Sequence, residues 1–305
     1  MTGPGIISVS RRCDIPRFYF DWFMERLDAG FVDVPNPFNS RQVRHVSLAP
    51  EDAGVLVFWT RDPRPILARG KELERRGYAY YVMTTLTAYP ALLEPDVPPP
   101  ETVSAALRDL SEQTGPGRVI WRYDPILLST ITGEDFHLRN FAALAASLEG
   151  AVSRVIISLY DEYGGAKRRM AALEAGGGSP QEPEPLFRML PMYTPEGRAL
   201  SGVRELLAAL ARIAARRGMT MQACAEGEDF SSLGIAGGAC IDGELIRRLW
   251  NIESAGRDRN QRPRCRCVSS VDIGWYGAGP AQEKAAGSAG RSSCPAGCVY
   301  CYARR

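Results

Sequence analysis

The sequence predicts an α/β protein folded as a (β/α)8 or partial TIM-like barrel. Short β-rich runs alternate with stretches of helical period over the first four-fifths of the chain, the pattern of a parallel sheet with helices outside. About eight strand runs are present, the number that closes a barrel. No G-x-G-x-x-G or G-x4-G-K-[ST] follows any of them, which weakens an open nucleotide-binding sheet as the alternative.

Residues 6–10, Ile-Ile-Ser-Val-Ser, form the first expected strand. Over 17–29, Phe18, Trp22, Phe23, Met24 and Leu27 fall on a helical period, and Gly30 stops the helix. Residues 31–34 are the second strand, ended by Pro35 and Pro37. Residues 55–59 are the third, with a helix over 66–76. Strands at 80–84 and 119–122 follow, with helices over 102–113 and 136–148. The sixth strand covers 155–158, and a long helix covers 196–217. Residues 219–224 are the seventh strand, and 268–273 supply the eighth. Stretches 175–185 and 277–293 are insertions rich in Gly, Pro, Ala and Ser. The expected organisation is a βα barrel body over 1–224 and a cysteine-rich segment over 225–305 that completes or caps its mouth.

Hydrophobic residues make up 45% of the 305 positions and charged ones 24%, enough to bury a sizeable core. The net charge of +2 selects neither nucleic acid nor membrane as a partner. No apolar run is long enough to span a bilayer, and the N-terminus lacks a signal-peptide pattern. Of eight cysteines, seven follow position 220. In a chain expected to be cytoplasmic, that points to metal rather than disulfides. Only two histidines are present, which argues against His-based acid–base chemistry.

The last residues contain Cys294, Cys298 and Cys301 in a C-x3-C-x2-C spacing, with Tyr300 just before the third. Three thiolates on one loop can hold three irons of a 4Fe–4S cluster and leave the fourth iron open. A structural zinc site is the alternative, although the spacing departs from the common zinc patterns. Cys224, Cys240, Cys265 and Cys267 make a second set of four, able to close a zinc site or a second cluster. The bland alternative is that Cys224 and Cys240 are buried small hydrophobes. Cys13 is a thiol at the barrel mouth with no assigned role.

Chemistry in βα barrels sits at the C-terminal ends of the strands. Polar residues gather there: Ser10 to Asp14, Asn36, Thr60, Arg61, Arg122, Asp124, Ser158 and Glu226. Each alone has a plainer role, as a helix cap, a turn or a solvated charge. Arg122 and Asp124 follow a strand that should be buried on both faces, so they are expected to face the cysteine loop. The catalytic candidates are Arg122, Asp124 and Glu226. The candidates for cofactor contact are Ser10, Arg12, Asn36, Thr60, Arg61 and Tyr300.

Residues 297–303, Gly-Cys-Val-Tyr-Cys-Tyr-Ala, resemble the cluster loop of radical S-adenosylmethionine (SAM) enzymes, in particular the spore photoproduct lyase branch. In that superfamily the loop lies near the N-terminal end of the barrel, whereas here it lies at the C-terminus. The whole chain resembles an uncharacterised bacterial domain-of-unknown-function family, on stretches including 8–16, 36–39, 58–60, 120–126, 240–242, 260–262, 272–274 and 298–303. The family carries no assigned reaction. The resemblance implies a permuted radical SAM barrel, a 4Fe–4S cluster on Cys294, Cys298 and Cys301, and SAM as cosubstrate. It further implies a reducing electron donor and an unidentified substrate. The alternatives are a non-catalytic metal protein with a structural or regulatory tail, and a nucleic-acid repair lyase, for which the Arg-rich residues 247–305 permit phosphate contact.

Overall fold

The computed structural model describes residues 5–36, 39–176, 186–254, 256–257, 261–262, 264–276 and 294–304. Pro37, Phe38, Asn260 and the expected insertions over 177–185 and 277–293 lie outside the described residues.

The protein is a mixed α/β structure around an eight-stranded sheet. Its strands are β1 (Gly5–Val9), β4 (Ala53–Thr60), β5 (Ala79–Thr85), β6 (Val119–Ile126), β7 (Arg154–Leu159), β8 (Thr220–Cys224), β9 (Ala236–Gly238) and β10 (Val271–Asp272). They lie in the order β10-β1-β4-β5-β6-β7-β8-β9, and every described pairing is parallel. The last strand thus lies beside the first. Closure into a barrel is not seen, because no β9–β10 ladder exists among the described residues.

Residues 31–34, expected as a barrel strand, instead begin β2 (Phe31–Asn36), which pairs antiparallel with β3 (Asn39–Ser47) as a separate hairpin. The reason is visible in the residues. Asp33 is exposed between buried Val32 and Val34, so this strand has one wet face. Its place in the sheet goes to β9, whose Ala-Gly-Gly is too short and too bare to read as a strand. A Cβ on Gly238 would sit 2.9 Å from Cβ of Gln222, so the glycine lets β9 approach β8.

The expected first helix begins earlier and divides into α1 (Ile15–Phe18) and α2 (Phe20–Ala29). Asp14 caps α1 by accepting from the Arg17 amide, and Gly30 ends α2 at φ +77°. Helices α3 (Arg64–Arg75), α4 (Pro100–Thr114) and α5 (Glu134–Ser147) lie close to expectation. Helix α7 (Ser201–Arg216) starts later than position 196, because 193–199 form a tight turn with Gly197 at φ +77°. Two helices were not expected, α6 (Gly164–Ala175) and α8 (Gly243–Trp250).

Strand residues alternate between two apolar clusters, as the period of two requires. Ile7, Phe58, Tyr80, Val82, Trp121 and Ile157 pack with the helix residues Phe23, Leu73, Leu107, Phe141 and Leu210. Ile6, Val55, Val57, Tyr81, Met83, Ile120 and Ile156 pack instead with Ile241, Leu245 and Ile246 of the α8 region. Both faces are dry, which is why these strands read as continuous apolar runs. β9, α8 and β10 all come from residues after 224, so that segment contributes to the sheet and its second face.

Candidate active site

Toward their carboxyl ends the strands turn polar on the second face. Ser8 and Ser10 continue the parity of Ile6, Arg122 and Asp124 that of Ile120, and Ser158 that of Ile156. Cys224 lies opposite in parity to Met221 and Ala223 of the first cluster. There a cavity of about 1290 Å3 opens, lined by Arg122, Asp124, Arg61 and all seven cysteines of the two predicted sets. The site thus occupies the end of a parallel sheet where ligands are commonly bound.

The C-terminal loop forms part of that wall and is pinned from several sides. Arg169 of α6 donates from Nε to the Val299 carbonyl at 2.9 Å, from one terminal nitrogen to the Arg304 carbonyl at 2.8 Å and from the other to the Cys301 carbonyl. The Val299 amide donates to the Leu93 carbonyl at 3.0 Å, and Tyr302 Oη to the Arg11 carbonyl at 2.8 Å. Gly297 sits at φ +70°, where a side chain would be strained. Nothing in the sequence links position 169 to this loop, so Arg169 was not foreseen.

Behind the loop lies a buried charged group. The Arg61 guanidinium meets Glu94 at 2.9 Å and Thr87 at 3.2 Å, and also bonds the Tyr300 hydroxyl, which in turn donates to Glu94. Burial opposes the charge of Arg61, but Cys298, Glu94, Tyr300 and Cys301 reverse that and hold its pKa well above the ordinary value. Burial raises Cys298 to about 11 against the pull of Arg61, and Cys294 to about 12. Asp14, raised to about 6 by burial, accepts from the Arg61 amide at 2.8 Å.

A second anchor is Asp272, also absent from the predicted site. It accepts from Ser8 Oγ at 2.9 Å, Ser10 Oγ at 2.8 Å, and the amides of Arg11 and Gly274 at 2.8 and 3.0 Å. It fastens β10 to the end of β1. The Asp-Ile-Gly triplet at 272–274 was visible, but its role depends on a partner more than 260 positions away.

The other predicted residues divide. Arg122 lies 4.7 Å over the Trp59 ring and pairs with Asp124, which also accepts from Ser158. Arg12 lines the cavity, donating to the Gly274 carbonyl at 3.1 Å. Ser10 lines it with its hydroxyl donated to Asp272. Thr60 Oγ1 is used in its own turn, donating to the Asp62 carbonyl and accepting from the Asp62 amide, each at 2.9 Å. Asn36 reaches the cavity from the hairpin rather than from a strand of the sheet, bonding Gln42 at 2.9 Å. Glu226 accepts from the Leu159 amide at 2.9 Å and is not among the residues lining the cavity; burial lifts its pKa to about 7. Cys13 is buried on the cavity wall.

All eight cysteines are free thiols. Among the described residues, no three or more His, Cys, Asp and Glu side chains are arranged to hold a metal ion as they stand. By donor chemistry the loop nevertheless suits a soft metal, with three thiols on one short segment and a buried cation beside Cys298 to offset thiolate charge. None of the described helices is long and apolar enough to cross a membrane.

Fold and site define an α/β protein with a parallel sheet and a cysteine-lined cavity at the strands' carboxyl ends. The chain belongs to the family described as Domain of unknown function (DUF1848), which matches residues 6–303. No curated protein matches it.

Proposed function

We propose that the protein is a radical SAM-like iron–sulfur enzyme on a partial, permuted barrel. Cys294, Cys298 and Cys301 would hold a 4Fe–4S cluster, with SAM as cosubstrate. The observation that carries this proposal is the position of the C-x3-C-x2-C loop on the wall of the large cavity at the strand ends, beside the largely buried Arg61. The cyclic neighbourhood of β10 and β1 supports a barrel-like origin for the sheet. When bound and reduced, such a cluster supplies the electron for reductive cleavage of SAM.

The chain's own residues serve binding and charge balance. Arg61, held by Glu94 and Thr87, keeps a fixed positive charge beside Cys298 and so opposes the rise that burial imposes on that thiol. Arg122 presents a planar guanidinium to the cavity, braced by Trp59 and Asp124, and suits a carboxylate such as that of the methionyl group. Tyr300 and the packed loop exclude water from behind the thiols. Reduced thiols and cluster chemistry are consistent with a cytoplasmic setting.

The test is anaerobic purification with iron and sulfide assay and EPR, followed by incubation with SAM and dithionite. We expect oxygen-sensitive brown protein with at least one 4Fe–4S cluster and release of 5′-deoxyadenosine. Cys298→Ala should stay folded with a melting temperature close to the parent's, and release none. A parent that never releases deoxyadenosine, with a Cys298→Ala variant that unfolds, would mean a structural tail instead.

A further inference from the structure

The second set of cysteines is gathered on the other side of the same cavity. Cys224 ends β8 and Cys240 follows β9. Cys265 and Cys267 lie in the segment that leads into β10. Positions up to 43 residues apart are therefore brought to one place. The Sγ atoms of Cys224 and Cys240 are 3.3 Å apart. The Ile241 amide, next to Cys240, donates to Cys267 Sγ at 3.3 Å, and all four cysteines line the same cavity. Thiols are weak donors and acceptors, so four of them gathered on one cavity wall gain little unless something binds them.

Their position matches a mechanical need. Among the described residues no ladder joins β9 and β10. Cys224 and Cys240 belong in sequence to the β8–β9 end of the sheet, whereas Cys265 and Cys267 precede β10. Some backbone already crosses: the Ile241 amide donates to Cys267 Sγ at 3.3 Å, and the Val268 amide to the Ile241 carbonyl at 3.0 Å. An amide aimed at sulfur is also a common outer contact for a metal-bound thiolate.

We propose that Cys224, Cys240, Cys265 and Cys267 form a closed four-thiolate site for a single zinc ion, which clasps the β8–β9 end of the sheet to the segment before β10. Bonds of about 2.3 Å to one tetrahedral ion put thiolates roughly 3.8 Å apart, close to the observed sulfur contact. A cubane cluster would hold them much farther apart. As they stand only Cys224 and Cys240 are seen in sulfur contact, so binding requires the side chains to rotate onto one centre. It releases one proton per thiol deprotonated, up to four, and involves no change of oxidation state. The site shares no ligand with the C-terminal loop, so the two proposals stand or fall separately.

The test uses the full chain carrying Cys294→Ser, Cys298→Ser and Cys301→Ser, purified anaerobically. We expect about one zinc per chain, no inorganic sulfide, and alkylation of the four thiols only after zinc is stripped, mapped by mass spectrometry. Replacing zinc with Co2+ should give the intense visible bands of a tetrahedral thiolate site. Adding Cys240→Ser and Cys267→Ser should abolish zinc binding. Thiol protection in the otherwise intact set is the deciding measurement, because it does not depend on that variant keeping its fold. Iron with sulfide, no metal, or four thiols alkylated equally with and without zinc would overturn the proposal.

Discussion

At the scale of single residues, one side chain from elsewhere makes several of the bonds that hold the loop. Arg169 is the only residue of α6 whose side chain is seen to bind several carbonyls of the terminal segment, and its planar fork suits that task. Arg169→Met keeps much of the apolar stem and removes the donors. The free energy of local opening of 294–304 should fall by about 1–3 kcal/mol, since charged hydrogen bonds are lost but the site is half-exposed. Native-state hydrogen exchange would register this as faster exchange at Val299 and Cys301, with the global melting temperature little changed. A variant whose loop exchanges at the parental rate would show that Arg169 merely decorates the surface. Gly274 illustrates the same dependence on neighbours: a Cβ there would lie 1.8 Å from Ser10 Oγ, so only glycine lets Asp272 reach its partners.

At the scale of elements, α8 is the piece that makes the second face of the sheet dry. Its side chains Leu245 and Ile246 pack against Ile6, Tyr81 and Ile120 on that face. Asp242 caps it by accepting from the Leu245 amide at 3.0 Å and also pairs with Arg154 of β7. The Tyr81 hydroxyl donates to the Cys240 carbonyl at 2.6 Å and accepts from the Asp242 amide at 3.2 Å, so cap, strand and cysteine segment are joined. Asp242→Ala removes the cap and leaves Arg154 largely buried without its carboxylate. The expected cost is roughly 2–4 kcal/mol in urea unfolding. Asp242→Asn retains a capping oxygen and should lose distinctly less; equal losses would assign the whole effect to the ion pair.

At the scale of the whole molecule, the pH dependence of stability is set by groups that folding buries. His137 is fully buried between Tyr123 Oη at 2.8 Å and the Leu127 carbonyl at 3.0 Å, and burial lowers its pKa to about 4. The unfolded chain takes up this proton below about 6.5, whereas the native state holds out to about 4. Stability from His137 is therefore complete above 6.5 and declines as pH falls toward 4. Asp14 and Glu226 act in the opposite sense. Burial raises them to about 6 and about 7, so their contribution is present at low pH and is lost as pH rises through those values. The sum is a shallow profile, and His137 must be isolated by difference. The stability of the parent minus that of His137→Gln should shrink by roughly 2–3 kcal/mol between pH 7 and pH 4.5. A difference that does not change with pH would mean that the histidine is not excluded from protonation.

The sequence by itself determined the alternation of buried strands and amphipathic helices, because burial on both faces imposes an apolar run that needs no knowledge of partners. It placed Ser10, Arg122 and Asp124 at the strand ends, and showed the spacing of Cys294, Cys298 and Cys301. The family match over 6–303 accords with the expected domain-of-unknown-function family. Only the tertiary structure decided that 31–36 leave the sheet for a hairpin, that Ala-Gly-Gly at 236–238 takes the eighth place, and that Glu226 accepts from the Leu159 amide. It also revealed Glu94, Arg169 and Asp272 as the groups that brace the site. Such roles come from contacts between residues tens to hundreds of positions apart. A local pattern records which face a residue occupies, but not which distant charge or carbonyl will be waiting there.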